Sequence, residues 1–571
     1  MTHHRSVWYD ILYTKIVKRR IPTPGTSSFS LSSASAREIE EVAIRAIVLR
    51  QNWSSPRPQI QAHVSFSLDE VEPISYYEDL TLPESPTVES MSYDEDQTPS
   101  ESSSTPLTCL TLYFLPGRDH KYLVVILRHE QNESLTPTQR LYEIQFWDIS
   151  VTDEQLRDVD RNGLVTEYSR CIARHSCSGL MSACVNADPK HPACLIITRQ
   201  VELGIEEVAS FALSIDFEAL DPFRNTEMFQ SYSSFPSYKM AVGLQGCHFF
   251  ATDDSFQIRV INIDTGHILY VLATAQMDPP VISEEYRCLN SLILDDFVLI
   301  FRERWIHLYP LRLKSSSVDH NAQVVFPLAS HKWIGRLDTI DVTAERCHPL
   351  ETQFVRLDNG GEPEDIAAPL VRILIRFASM FPWPVNILHL YILPPNPSFN
   401  MNERTSDEGS GNHLPYLSPS SDNAPAEPSV APYLVTSLSS AVRIFTPSDS
   451  AIGPYGTVMW LDAQTDLLNV AQVGDRGQRV AGALFNDDPR SRSVQAARPL
   501  RHSLDSVQEL APGSIADRIW SHVRGQQTRR SEMVFHVQEH DDNWVKIGMC
   551  EDEGMIAIGE LEGQVSVYKY I

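Results

Sequence analysis

Residues 541–571, DDNWVKIGMCEDEGMIAIGELEGQVSVYKYI, decide the fold. Three short strands read there: Trp544 to Met549, Met555 to Ile558 and Gln564 to Tyr570. Acidic or glycine turns part them, from Cys550 to Gly554 and from Glu560 to Gly563. Gly559 and Gly563 stand where such turns need a permissive backbone. Strands that turn so tightly onto one another read as the inner strands of a β-propeller blade. The sequence ends on a strand, and a terminal strand is normally held by pairing, so this piece is expected to close a ring of blades.

Strands continue upstream as far as Leu107. The clearest are Tyr122–Leu127, Tyr142–Ile149, Leu180–Val185, Cys194–Thr198, Ala209–Ile215, Phe249–Thr252, Gln257–Ile263 and His267–Leu272. They are followed by Phe297–Phe301, Trp305–Leu311, Val371–Arg376, Ile387–Leu393, Ala441–Ile444 and Thr457–Leu461. At three or four strands per blade this makes about seven blades, with six or eight also compatible. Two pieces resemble WD-repeat sequence: the strand ending in Trp147-Asp148, and Ile258–Gly266, where Asn-Ile-Asp stands for Trp-Asp-Leu. The last piece, Gly554–Tyr570, is similar to the end of a WD-type blade. The fold class expected is mainly β, a degenerate WD-like β-propeller behind a small α-helical N-terminal segment.

That segment, 1–60, has its own pattern. Trp8, Ile11, Leu12 and Ile16 share one helical face, and Lys15, Lys18, Arg19 and Arg20 lie near the C-terminal end, where the helix dipole favours cations. Pro22 and Pro24 are expected to stop this helix. A second begins at a Ser35/Glu38 capping box and carries the apolar stripe Ile39, Val42, Ala46, Leu49 and Trp53. Two such helices are not stable alone, so their stripes must face each other or the propeller.

Segment 61–106 is expected to be an acidic, disordered linker. No lysine or arginine falls between Pro58 and Gly117, and Asp69 to Glu101 holds eleven acids. The propeller is expected to span 107–571 with insertions at 394–432, rich in Pro, Ser and Asn, and at 489–530. The second insertion carries eight arginines against three acids. Arg518, Arg524, Arg529 and Arg530 in it are candidate contacts for an acidic partner, although a fold-back onto 69–101 or a solvated loop accounts for them as well. Ser85, Thr98 and Thr105 each precede proline and are candidate phosphorylation sites.

The net charge of −27 argues against a nucleic-acid binder. No run of eighteen apolar residues offers a membrane span, and the N-terminus lacks the apolar core of a signal peptide. Nine cysteines without a CxxC pair suit a reducing compartment, cytoplasmic or nuclear. No catalytic, cofactor-binding or metal residues are assigned, and no cofactor or small-molecule substrate is expected. His129-Glu130-Gln131-Asn132-Glu133 begins like a zinc helix but lacks the second histidine. Cys347-His348 are adjacent, which suits neither a metal site nor a nucleophile pair.

Ser6-Val7-Trp8-Tyr9-Asp10-Ile11-Leu12, Ile21-Pro22-Thr23-Pro24-Gly25 and the Ile39–Leu49 helix running into Asn52-Trp53-Ser54-Ser55-Pro56 together resemble the segment after the F-box in the F-box families of mushroom-type fungi. The resemblance covers about sixty residues by motif and most of the chain by layout. Of the F-box itself only the ending has a counterpart, at Val7-Trp8 and Ile11-Leu12. It implies a substrate receptor of a cullin-based ubiquitin ligase, with a client protein, the Skp adaptor and a cullin as partners. Trp8, Ile11, Leu12 and Ile16 would then be the adaptor-side helix, although a helix docked on the propeller explains the same residues and is favoured. The alternatives are a WD-like scaffold with no ligase link and, more distantly, an enzyme using the propeller channel.

Overall fold

The computed structural model describes residues 5–26, 29–68 and, from 107 to 571, the strands with their adjoining turns. The longest stretches outside the described residues are 69–106, 130–139, 151–169, 216–229, 275–286, 312–321, 355–367, 400–413, 418–430, 441–448, 464–476 and 486–532. Helix α1 (Arg5–Ile11) runs into a π-helical turn at Leu12–Ile16 and a 3-10 turn at Val17–Arg19, and α2 spans Ala36–Trp53. Strand β1 (Ala62–Ser67) follows. Blade 1 is β2 (Leu107–Phe114), β3 (Tyr122–His129), β4 (Leu141–Asp148) and β5 (Arg170–Ser178). Blade 2 is β6 (Leu180–Val185), β7 (Ala193–Leu203), β8 (Ile205–Ser214) and β9 (Gln230–Pro236). Blade 3 is β10 (Met240–Gln245), β11 (His248–Thr252), β12 (Ile258–Asn262) and β13 (Ile268–Leu272).

Blade 4 begins with β14 (Cys288–Leu294), β15 (Phe297–Arg302) and β16 (Trp305–Pro310). The chain then returns to blade 3, where β17 (Gln323–Val325) adds in parallel to β13, before β18 (Ala329–Lys332) completes blade 4. Blade 5 is β19 (Leu337–Ala344), β20 (Val371–Phe377), β21 (Asn386–Leu393) and β22 (Tyr433–Ser440). Blade 6 is β23 (Ser450–Ile452), β24 (Thr457–Ala463), β25 (Gln478–Leu484) and β26 (Met533–Gln538). Blade 7 is β27 (Trp544–Cys550), β28 (Met555–Glu560) and β29 (Gln564–Lys569), with β1 as its outermost strand. The fold is therefore a seven-bladed propeller behind a short helical segment.

The ring is closed by residues expected to be linker. In AHVSFS (62–67) every second residue, Ala62, Val64 and Phe66, is buried, and β1 pairs antiparallel with β29 from Ala62↔Lys569 to Ser67↔Gln564. Phe66 stacks on Trp147 at 4.0 Å, and Leu68 is fully buried in the same cluster. Burying large side chains of this kind contributes about 1.5–3 kcal/mol each, enough to hold a strand lacking covalent continuity with its blade. The alternation sets this stretch apart from the acidic tract at 69–106, and the propeller extends to include it. The insertion at 394–432 also contributes to the ring. Tyr416 and Leu417 are buried beside Leu393, and the Asn396 N–H donates to the Pro415 carbonyl at 2.8 Å, so part of that insertion is core. Insertion 489–530 and the strand expected at Ala441–Ile444 lie outside the described residues.

The helical segment follows its pattern with one change. Ser35 accepts from the Glu38 N–H at 3.3 Å while Glu38 accepts from the Ser35 N–H at 2.6 Å, and Ile39, Val42, Ala46, Leu49 and Trp53 are all buried. The first helix ends before its prolines: Arg20 takes φ 52°, and Pro22 and Pro24 belong to the connection beyond.

Candidate functional site

In an antiparallel four-stranded blade, the turns after the first and third strands lie at one end. The turn after the second strand and the link to the next blade lie at the other. The helical segment caps the first of these faces over blades 5, 6 and 7. Side chains of blades 5 and 7 clasp the main chain between α1 and α2. His348 Nε2 donates to the Ile21 carbonyl at 2.9 Å, and Glu553 accepts from the Gly25 N–H at 2.9 Å. Gln353 accepts from the Leu31 N–H at 2.7 Å and donates to the Phe29 carbonyl at 3.0 Å. His348 Nδ1 also accepts from the Leu350 N–H at 3.2 Å, which fixes a neutral ring, and burial holds its pKa below the ordinary value.

Apolar contact completes the cap. Leu12 and Ile16 are fully buried with Leu350 and Phe354 of blade 5, and Tyr9 and Tyr13 pack on the Phe354 ring at 4.6 and 4.8 Å. Trp8 and Ile11 are half-buried, and Val7 is exposed. At the far end Trp53 lies edge-on to Phe535 and Tyr570, and its Nε1 donates to Thr457 Oγ1 at 2.8 Å. Behind that hydroxyl, Glu551 accepts from the Thr457 Oγ1–H and from the Tyr455 and Thr457 N–H groups at 2.7 and 3.0 Å. Burial pushes the Glu551 carboxyl up, and these bonds oppose the rise. Gly554 (φ 62°) closes the turn, and a Cβ there would meet Leu49 Cδ1 at 2.4 Å.

Within the ring, polar groups on the innermost strands stitch neighbouring blades. Ser182 accepts from the Ala241 N–H at 2.7 Å, Ser291 donates to the Val242 carbonyl at 3.1 Å and Asn290 donates to the Ile340 carbonyl at 3.3 Å. Ser450 Oγ donates to Asp341 at 2.6 Å, and Asp449 accepts from the Ile547 N–H at 2.9 Å and from Lys546 Nζ at 3.3 Å. The ionisable members of this belt thus belong to blades 5, 6 and 7. Asp341 is only partly covered as a residue, yet burial pushes its carboxyl up to about 7, with the neighbouring Asp449 adding to the rise. Joint 7–1 is apolar, with Cys109 and Leu112 against Gly559 and Gly548, and burial pushes the Cys109 thiol up to about 12. Such a thiol is a packing group at neutral pH.

Among the described residues no group of three or more His, Cys, Asp and Glu is placed to hold a metal ion. No described helix is long and apolar enough to cross a membrane. Ser85, Thr98, Thr105, Arg518, Arg524, Arg529 and Arg530 lie outside the described residues. The sequence reading gave none of His348, Gln353, Glu551 and Glu553 this role: His348 was weighed only with Cys347 as a metal or nucleophile pair, and Glu551 and Glu553 read as turn residues. The one signal for the last two was a run of acids, Glu551-Asp552-Glu553, in a turn short enough to have needed none.

No family model matches the chain, and no curated protein matches it. Among solved structures it is similar to chains in two structures of a humanized mutant of the Chaetomium thermophilum Polycomb Repressive Complex 2, bound to the inhibitors GSK126 and GSK343. Each is 11% identical with a TM-score of 0.41, covering 82% of this chain and 94% and 95% of those chains. A ctPRC2 structure is 9% identical with a TM-score of 0.43, covering 81% of this chain and 94% of that one. Likeness at this level reaches no further than the fold.

Proposed function

We propose that this propeller acts by non-covalent protein binding, as the client-holding part of a cullin-based ubiquitin ligase receptor in the cytoplasm or nucleus. The observation that carries the reading is the clasp. His348, Gln353 and Glu553 grip main-chain atoms of 21–31, so α1 and anything it carries are fixed relative to the ring. A receptor works by holding its client at a set distance from the ligase, and proximity accelerates transfer only if that geometry is kept. The face opposite the cap remains for the client. With Leu12 and Ile16 inside the cap, contact with a Skp adaptor falls to Trp8, Ile11 and the exposed Val7.

That same burial favours a second reading, a WD-like scaffold without a ligase link. Affinity purification of the 1–571 chain from its native cells, probed for the Skp adaptor and cullin, separates the two. Stoichiometric recovery of both supports the receptor. Other proteins retained without either supports the scaffold.

A further inference from the structure

Where β1 closes the ring, aromatic rings from four strands meet in the joint between blades 6 and 7. His63 of β1 stacks on Tyr568 of β29 at 4.5 Å with the planes 3° apart, and His536 of β26 packs on the same tyrosine at 4.5 Å. His536 also stacks on Trp544 of β27 at 5.4 Å. His63 Nε2 is buried without a hydrogen-bond partner. Burial holds the His63 ring below the ordinary histidine value, and burial together with the His63 charge holds His536 at about 4. Of the described charged groups, Glu560 acts on Tyr568 and accepts from Asn543 Nδ2 at 2.7 Å. Lys569 shares the other face of β29 with Val565 and Val567, and Arg479 of β25 is paired with Asp462 at 2.7 Å. Arg57, in the connection before β1, is exposed. Glu532 and Glu539, at the two ends of β26, lie outside the described residues.

We propose that β1 is an acid-released latch: protonation of His63 and His536 against Tyr568 frees β1 from β29 while the cap and the other strands stay in place. Both rings are packed as neutral aromatics, and a charge on one resists a charge on the other, so opening relieves what protonation imposes. Folded-state values below 6.5 mean that the neutral rings favour the closed strand. That contribution is complete above about pH 6.5 and is lost as the pH falls towards 4. β1 is the element that yields, because it is a six-residue edge strand paired with β29 alone. Local opening of one edge ladder costs less than opening a blade. The clasp is spared, since a charged His348 still donates its Nε2–H to the Ile21 carbonyl and the Gln353 bonds involve no titrating group. Release takes Phe66 off Trp147 and bares the edge of β29, so pH sets whether that edge is open to another extended strand. The inference does not rest on the proposed function.

Hydrogen–deuterium exchange of the full chain at about pH 7 and about pH 5 tests it, with exchange times scaled for the intrinsic pH dependence of amide exchange. A histidine held at about 4 against 6.5 raises the open population about tenfold or more between those two pH values. Residues 62–67 should therefore exchange about tenfold faster at the lower pH, relative to their intrinsic rate, while β27, β28 and 21–31 gain less. His63→Phe with His536→Phe keeps the rings and removes the charge, and should hold 62–67 closed at both pH values. His536→Phe alone should remove most of the response, which keeps the test decisive if the double variant folds poorly. No gain at 62–67, an equal gain in β27 and β28, or an unchanged gain in the phenylalanine variants overturns the proposal. So does a gain that disappears in Glu532→Gln with Glu539→Gln, which would assign the response to those carboxyls.

Discussion

Asp341→Asn should make the protein more stable at pH 8 and leave it unchanged near pH 3. The carboxyl sits at the joint of blades 5 and 6, bonded to Ser450 Oγ at 2.6 Å, and burial lifts it from its ordinary 3.8 to about 7. A folded-state pKa above the unfolded one means that the protonated form favours the fold. That contribution is complete below about pH 3.8 and is lost as the pH rises through about 7. Three units correspond to about 4 kcal/mol, and the partial exposure of Asp341 lowers this to about 2–4 kcal/mol. Asparagine still accepts from Ser450 and carries no charge to bury. With an unfolding entropy of about 2 cal/mol/K per residue, the gain is a rise in Tm of about 2–3 °C at pH 8 for a chain of this length. Thermal melts of both proteins at pH 8 and pH 3, followed by tryptophan fluorescence, measure it. An equal Tm at pH 8, or a lower one in the variant, would refute the account of the joint.

Other perturbations act on the ring closure, the cap and the histidines. Phe66→Ala removes the ring stacked on Trp147 and should cost about 3–5 kcal/mol, seen as a lower denaturant midpoint and early proteolysis after residue 68. Gly554→Ala places a Cβ against Leu49 at a φ of 62° and should cost about 1–3 kcal/mol, read as faster amide exchange in α2 with the blades unaffected. Burial holds His307 at about 3 and His175 at about 4. Their folded-state values lie below 6.5, so the stability they lend is complete above about pH 6.5 and is lost as the pH falls towards 4. Melts between pH 7 and 4 should show that decline, steeper in Asp341→Asn, where the opposing titration of Asp341 is absent.

The strands legible in sequence were mostly the second and third of each blade. Phe297–Arg302 and Val371–Phe377 are buried almost throughout, because sheets pack against them on both sides, and they read as continuous apolar runs. First strands edge the channel and fourth strands edge the ring, so β14 and β19 mix Asn, Ser, Thr and Asp with apolar residues and give no clear period. The third strand of blade 6, QRVAGAL, escaped for another reason: Gly482 is needed there because a Cβ would meet Phe535 at 2.7 Å, and glycine weakens any strand signal. The capping box and the Ile39–Trp53 stripe were plain because both are local. The clasp was not legible, since only the fold brings His348, Gln353 and Glu553 against the chain at 21–31.

The central claim is that cap and ring form one body whose opposite face holds a partner. Hydrogen–deuterium exchange on the chain alone and on its complex captured from native cells tests it directly. The account predicts slow exchange at 21–31 in both samples, with new protection on the partner-bound chain confined to the face opposite the cap. Fast exchange at 21–31 in the free chain, or new protection appearing there and along α1 while the opposite face stays unchanged, would contradict it.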